Sequence, residues 1–472
     1  MSPNRIGFSF LLIGIFLLVG KAFRYRTKWL HNLFLPSSII AGFVALMLGP
    51  DVLGRMTSTL LDDSSLFYTG LIPDFVLNVW RPLPGMFINI VFASLFIGKA
   101  IPSLKRVWHT AGPQIVMGQV VSWGQYVVGL LLTLFVLTPV FGMNPLAGGL
   151  IEIAFVGGHG TAAGLSDTFT DLGFPEGLDL ALGLATVGIL SGVLVGILII
   201  NIAFRKGVAK HVGGKPYFTE EEREAIGETY GYDLEPDVKE AKAIEPLAFH
   251  FALIALAIVI GYILQQGLII LEASTWGAWS DIYLLSYVPL FPLAMIGGIV
   301  VQLVSGKLKI ADYIDPILIS KIAGFALDIL LFSALATISL AVIGDNIIPF
   351  FLISITAVLW NVFAFLFLAP RLIPNHWFER GLGDFGQSTG MAATGILLMK
   401  IADPEHQTPA LESYGYKQIL FEPFVGGGIV TAAALPFIHQ FGPVAFLILS
   451  IIVTLAFLTF GFVYFGKKKV VD

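Results

Sequence analysis

The feature that most constrains this chain is the length of its apolar runs. Residues 444–465 form 22 consecutive positions without a charge, and about 20 mostly apolar residues cross a bilayer as a helix. Within hydrocarbon every backbone N–H and C=O must be satisfied internally, which leaves helices or closed barrels. The rest of the sequence follows suit, with 56% hydrophobic and 12% charged residues in 472, where a soluble domain carries about 25% charged. Glycine, at 51 residues, suits membrane helices, which use it more than soluble ones do. The chain has no cysteine, which excludes disulfides and thiol chemistry. A net charge of −5 gives no sign of nucleic-acid binding.

Hydropathy predicts eleven crossings, near 6–20, 33–50, 84–101, 113–137, 178–204, 248–271, 283–304, 318–343, 348–369, 418–439 and 443–466. Two Gly-rich stretches, near 146–170 and 381–400, are left over. No cleavable signal peptide is expected, since the N-terminal MSPNR leads directly into the first run. Lys and Arg in short loops mark the cytoplasmic side. With the N-terminus outside, that side collects Lys21, Arg24, Arg26 and Lys28, then Lys105/Arg106, the 205–245 loop, Lys307/Lys309, Arg371/Arg380, Lys417 and Lys467 to Lys469. Arg5, Arg55 and Arg81 stay outside. The parity holds only if each Gly-rich stretch enters and leaves on one side, as a re-entrant hairpin.

The one long hydrophilic segment, 205–246, reads as a cytoplasmic linker. It separates a first unit (1–204) from a second (247–440), each with five spans and one hairpin, and 441–472 adds a last span with a basic tail. The units echo each other. PSSIIAGFV at 36–44 matches PLAMIGGIV at 292–300 at Pro, Ile, Gly and Val. Gly85, Asn89 and Ser94 match Gly324, Asp328 and Ser333 at identical spacing. One unit starts outside and the other inside, so the expected fold is an all-α polytopic membrane protein of two inverted-topology repeats plus one C-terminal helix. Inverted repeats with discontinuous helices are a mark of secondary transporters.

The first hairpin, IEIAFVGGHGTAAGLSDTF, has its tip at Gly157, Gly158, His159, Gly160 and Thr161. The second, RGLGDFGQSTGMAATGILLMK, has its tip around Gly383 to Gly390, with Gln387, Ser388, Thr389 and Gly390 as candidate substrate contacts. Glycines let such tips approach and expose their backbone, helix N-termini favour an anionic group, and carbonyl and hydroxyl oxygens are hard ligands suited to Na⁺. Small residues at these points also serve simple helix packing.

The run GGHGTAAG, with NPLAGGLIEIAFV before it and ATVGILSGVLVG after it, resembles the bacterial sodium/glutamate symporter family, as does LPSSIIAGFVALMLG in span 2. The likeness extends over about residues 10–440. It implies Na⁺-coupled glutamate uptake across the inner membrane, paired re-entrant loops, no cofactor beyond Na⁺ as coupling ion, and a homodimer working by an elevator movement. Gly157, Gly158, His159, Gly160 and Thr161 match the first loop motif, while residues 386–394 approximate the second. Glu152, Asp328 and Asp384 stand where the family has small or polar residues, and the final span is additional to its usual ten.

Ionisable groups in spans cost about 2.5–3.5 kcal/mol at a helix centre and are functional candidates by default. Asp328, the counterpart of Asn89, is an ion ligand or proton carrier, or else pairs with Lys321. Glu152 and Asp384 bind Na⁺, titrate, or lie in a vestibule, and His159 either meets a substrate carboxylate or braces its hairpin. Gln119, Ser122 and Gln125 form a polar stripe suited to interhelical bonds, and Arg81 and Lys99 snorkel. The site reading is thus substrate at both tips and cation at Asn89, Glu152, Asp328 and Asp384. An alternative is a Na⁺- or proton-coupled carrier of another small organic solute. A passive channel or a membrane enzyme finds no support, since paired hairpins are superfluous to the first and no nucleophile–base constellation serves the second.

Overall fold

The computed structural model describes residues 2–27, 35–58, 70–99, 102–209, 246–280 and 282–466. Most of the 205–246 linker, Lys28, and the tail with Lys467 to Lys469 lie outside the described residues. Every described element is helical. Among the described residues ten helices are long and apolar enough to cross a membrane, so this is a multi-pass membrane protein. In chain order they and the shorter helices are α1 (Pro3–Arg26), α2 (Ser37–Ser58), α3 (Asp74–Ser94), α4 (Leu104–Phe141), α5 (Pro145–Phe155), α6 (Gly158–Gly164), α7 (Ser166–Asp171) and α8 (Glu176–Arg205). After the linker come α9 (Pro246–Ser274), α10 (Leu290–Lys307), α11 (Pro316–Ala336), α12 (Ile347–Leu372), α13 (Trp377–Thr389), α14 (Ala392–Ala402), α15 (Ala410–Phe421), α16 (Ile429–Phe441) and α17 (Pro443–Tyr464).

One expected crossing is corrected. The run 418–439 is not a continuous helix: α15 stops at Phe421, EPFVGGG intervenes, and α16 starts at Ile429. Gly426 and Gly427 there have φ of +73° and +106°, a region closed to most L side chains. Hydropathy scores glycine as permissive inside a span, so the break is hidden in an apolar average.

The helices pack in two groups. One holds α1, α2, α3, α9, α10 and α11; the other holds α4 to α8 and α12 to α17, and the two meet where α6 rests on α3 and α11. Small residues set the close approaches, as expected where lipid removes the hydrophobic drive between helices. In the first group a Cβ on Gly42 would lie 2.9 Å from the Phe332 carbonyl oxygen, and one on Gly298 would collide with the Ala93 carbonyl oxygen. Gly42 and Gly298 are the glycines aligned between the two units, and Ala93 and Phe332 share the offset that aligns Gly85 with Gly324. Trp80 fills the centre of this group, edge-on to Phe332 at 4.9 Å, its indole N–H donating to the Ser9 carbonyl at 3.0 Å.

In the second group α4 and α12 carry the same irregularity. Each has a π-helical turn, Thr133–Leu137 and Ala364–Leu368, directly before Thr138-Pro139 and Ala369-Pro370. The N–H of Thr138 reaches back to the Thr133 carbonyl and that of Ala369 to Ala364, five residues each, just ahead of a proline that has no N–H to give. The two helices lock where a Cβ on Gly124 would collide with the Trp360 ring, whose N–H donates to the Val121 carbonyl at 3.0 Å. The last helix, α17, lies along α4, with Phe446 edge-on to Tyr126 at 5.1 Å.

Candidate functional site

Three chain interruptions of the second group converge where it faces the first group. The first separates α5 from α6 at Val156-Gly157, and Gly158 takes up φ +70°. A side chain on Gly157 would strike Thr161, and one on Gly158 would lie 2.8 Å from the Gly390 carbonyl oxygen. That carbonyl belongs to the second interruption, where α13 ends at Thr389 and α14 restarts at Ala392. The third is EPFVGGG: a Cβ on Gly426 would meet Val156, and one on Gly427 would lie 2.6 Å from Thr161 Oγ1. The sequence reading foresaw the first two and missed the third.

Around the first interruption, the flanks of the Gly-rich stretch come together, Asn144 donating its side-chain N–H to the Gly173 carbonyl at 3.2 Å. His159 is 2% exposed; its Nε2 contacts Thr186 Oγ1 on α8 at 2.9 Å, and its Nδ1 is buried without a partner among the described residues. Thr161 Oγ1 is likewise buried and unpartnered. Buried polar atoms are nearly always hydrogen-bonded, so two orphans at one tip call for an explanation.

Glu152 on α5 has none to spare. Its Oε1 accepts from Ser122 Oγ (3.0 Å), the Gly426 N–H (3.1 Å) and Thr431 Oγ1 (2.9 Å), and its Oε2 from the Tyr126 hydroxyl at 2.6 Å. Four donors match the capacity of a carboxylate, and they tie α4, α5 and the third interruption together.

Around the second interruption the hydroxyls turn back on their own helix. Ser388 Oγ donates to the Asp384 carbonyl at 2.6 Å and Thr389 Oγ1 to the Phe385 carbonyl at 2.8 Å. Arms α13 and α14 touch at Gly386 and Gly395. Gln125 on α4 reaches the Ser388 carbonyl at 2.9 Å and the Asn361 amide oxygen at 3.1 Å. Asp384 is paired with Lys417 of α15 at 2.7 Å, and the same ammonium donates to Gln387 Oε1 at 2.7 Å. Next to them Arg380 donates to Gln114 Oε1 (3.1 Å) and the Thr110 carbonyl (2.9 Å) on α4.

Lys417 and Arg380 are corrections to the charge count, in which both served as cytoplasmic loop charges. The structure buries both, at 1% and 5% exposure. Each sits at the edge of an apolar run, where a residue scan reads a loop; the buried partner of Lys417 lies 33 positions away. Lys99, read as snorkelling, is half-buried and interacts electrostatically with Glu422 at the start of the third interruption. Of the polar stripe on α4, Ser122 and Gln125 make interhelical bonds, while Gln119 accepts from Trp123 of its own helix at 3.2 Å.

A cavity of about 40 Å³ lies between the three interruptions, lined by Gly157, Gly160, Gln387, Met391, Glu422 and Gly426 among others. It has room for a few waters or a bare cation. Asn89 and Asp328 are placed elsewhere, on α3 and α11 of the first group. Both are half-buried, and the Asn89 amide donates to the Gly85 carbonyl of its own helix at 2.9 Å. Their chain neighbours Ile88 and Leu327 line the cavity from the first group's side.

No curated protein is matched by this chain. The family model described as "Sodium/glutamate symporter" matches residues 5–373. That stretch contains the first interruption, Asn89, Glu152 and Asp328; the second and third interruptions and α17 lie beyond it. A multi-pass helical protein whose broken helices meet at one cavity, lined by apolar side chains with Gln387 and Glu422 among them, is what a solute–ion symporter requires, and a match over most of its length places it: the chain belongs to the sodium/glutamate symporter family.

Proposed function

We propose that this protein carries glutamate or a closely related acidic solute inward across the bacterial inner membrane, driven by Na⁺. The observation that carries the reading is the meeting of three interruptions around one cavity, with His159 Nδ1 and Thr161 Oγ1 left unpartnered at the first of them among the described residues. The N-terminus of α14 has no side-chain cap, which leaves its first N–H groups to a carboxylate, while the first two N–H groups of α16 donate to the Pro423 and Phe424 carbonyls. Substrate is held by Gly157, Gly158, His159, Gly160 and Thr161 on one side and by Gln387, Ser388, Thr389 and Gly390 on the other. Na⁺ takes Thr161 Oγ1 and carbonyls of the tips, with Asn89 and Asp328 contributing from the first group. Glu152, with both oxygens accepting from the protein, and Asp384, with Oδ1 accepting from Lys417, hold the tips in place and set the charge around the ion.

Three features support two inverted repeats. The aligned glycines Gly42 and Gly298 make reciprocal contacts, the π-turns stand before equivalent prolines, and Ile88 and Leu327, themselves aligned, flank one cavity. The Asn144–Gly173 hydrogen bond supports a re-entrant first stretch. The division into two packed groups, with the interruptions confined to one, suits an elevator in which that group moves past the other. We place the N-terminus outside, the C-terminus in the cytoplasm, and the protein as a homodimer.

The test is uptake of labelled L-glutamate into proteoliposomes with and without an inward Na⁺ gradient at fixed pH. Uptake that collapses without the gradient is expected. Gradient-independent uptake overturns the coupling. A folded sample that takes up no glutamate moves the reading to another small organic solute, identified by thermal-shift screening with Na⁺ and pH varied.

A further inference from the structure

Lys417 is the buried cation that the transport reading leaves without a task. Its ammonium lies in a built site: two oxygens from α13, Asp384 Oδ1 and Gln387 Oε1, each at 2.7 Å, and the Phe421 ring with its centroid at 4.2 Å. Asp384 and Gln387 are three residues apart, hence on one helix face. Gly118 of α4 makes the space, since a Cβ there would come within 2.7 Å of Lys417 Cε. The other carboxylate oxygen, Asp384 Oδ2, is buried with no partner among the described residues. A carboxylate oxygen, an amide oxygen and an aromatic face are the surroundings that a small monovalent cation takes, and an ammonium is a compact point charge suited to the same place.

We propose that the Lys417 ammonium is a tethered substitute for a mobile monovalent cation at the second interruption, held between Asp384 and Gln387. The inference rests on the reading of this region as a Na⁺-coupled transport site. A tethered charge neutralises Asp384 but cannot be released on the far side with the solute. The wild-type chain therefore moves one cation fewer per cycle than a chain in which this site is filled from solution. Residues 384, 387 and 417 all lie outside the stretch matched by the family model, so the device is read from this chain's own geometry.

The test is the melting midpoint of the purified full-length protein in detergent, titrated with NaCl against N-methyl-D-glucamine chloride at constant ionic strength. Lys417→Met keeps the apolar stem and removes the charge. Its midpoint is expected to rise with NaCl more steeply than that of wild type, and the extra rise is expected to vanish in Asp384→Asn/Lys417→Met, which has no charge left to neutralise. If Lys417→Met does not fold, Lys417→Ala purified with butylammonium chloride is expected to recover a monodisperse, cooperatively melting protein. A Na⁺ response in Lys417→Met equal to wild type overturns the proposal and leaves an ordinary structural ion pair. Failure of the amine to restore an unfolded Lys417→Ala does the same. These readouts use no glutamate, and wild-type uptake measured in parallel judges the transport reading separately.

Discussion

The first and second interruptions meet at glycine but differ in backbone and in electrostatics: Gly158 is left-handed at φ +70°, while Gly390 is extended at φ −175°. Both break a helix at glycine, and the two breaks touch through Gly158 and the Gly390 carbonyl. The carboxylate beside the first, Glu152, is held by two hydroxyls, a phenol and a backbone N–H; the one beside the second, Asp384, is held by an ammonium. Neutral donors spread the cost of burial over four bonds, and losing one leaves three. An ion pair concentrates it, and losing one partner leaves an uncompensated charge in a low-dielectric interior. The second tip is accordingly the more brittle of the two.

Asp384→Asn should have the largest effect, lowering stability by about 3–5 kcal/mol, read as a drop in the detergent melting midpoint. A cost below that of the Glu152 change would reverse the comparison. Glu152→Gln should cost about 1–3 kcal/mol, because an amide N–H₂ now faces donors and leaves part of the cage unmet. The aligned glycines of the two sequence units can be compared in the same way. Gly298→Ala and Gly42→Ala should each cost about 1–3 kcal/mol by overpacking, Gly298 the more, since its Cβ meets a backbone oxygen at closer range. Equal near-zero costs would remove the reciprocal contact from the argument for repeats. The smallest change in stability is expected for Thr161→Val, whose hydroxyl has no partner to lose among the described residues. The same substitution should weaken Na⁺-driven uptake more than Ser388→Ala, whose hydroxyl already bonds its own helix. Wild-type Na⁺ dependence in Thr161→Val would detach the first tip from the ion.

Much of this was legible from the residues. Ten of the eleven apolar runs correspond to spanning helices, because hydrocarbon thickness and backbone satisfaction leave an apolar run of that length little choice. GGHG marks a real interruption, while at the second expected tip, Gly383 to Gly390, the helix runs on through Gly383 and Gly386 and breaks at Gly390. EPFVGGG escaped because Phe, Val and the flanking apolar residues keep the average high. Lys417 and Arg380 escaped for a different reason. A charge next to an apolar run looks the same whether it faces a headgroup or a buried carboxylate, and the choice is made by a residue far along the chain.

The π-turns in α4 and α12 carry a historical consequence. A π-turn is a helix lengthened by a single residue, with the excess parked locally so that contacts on either side keep their register. Deleting one residue from 133–137 or from 364–368 would therefore return a regular α-helix with its flanking contacts still in register, whereas the same residue carried in a regular helix would turn everything downstream by about 100°. Because the extra residue precedes Pro139 in one unit and Pro370 in the other, the reading of the units as repeats makes the insertion older than their divergence. It would have been present in the ancestral single unit, before duplication, and kept in both descendants while most of the surrounding sequence changed.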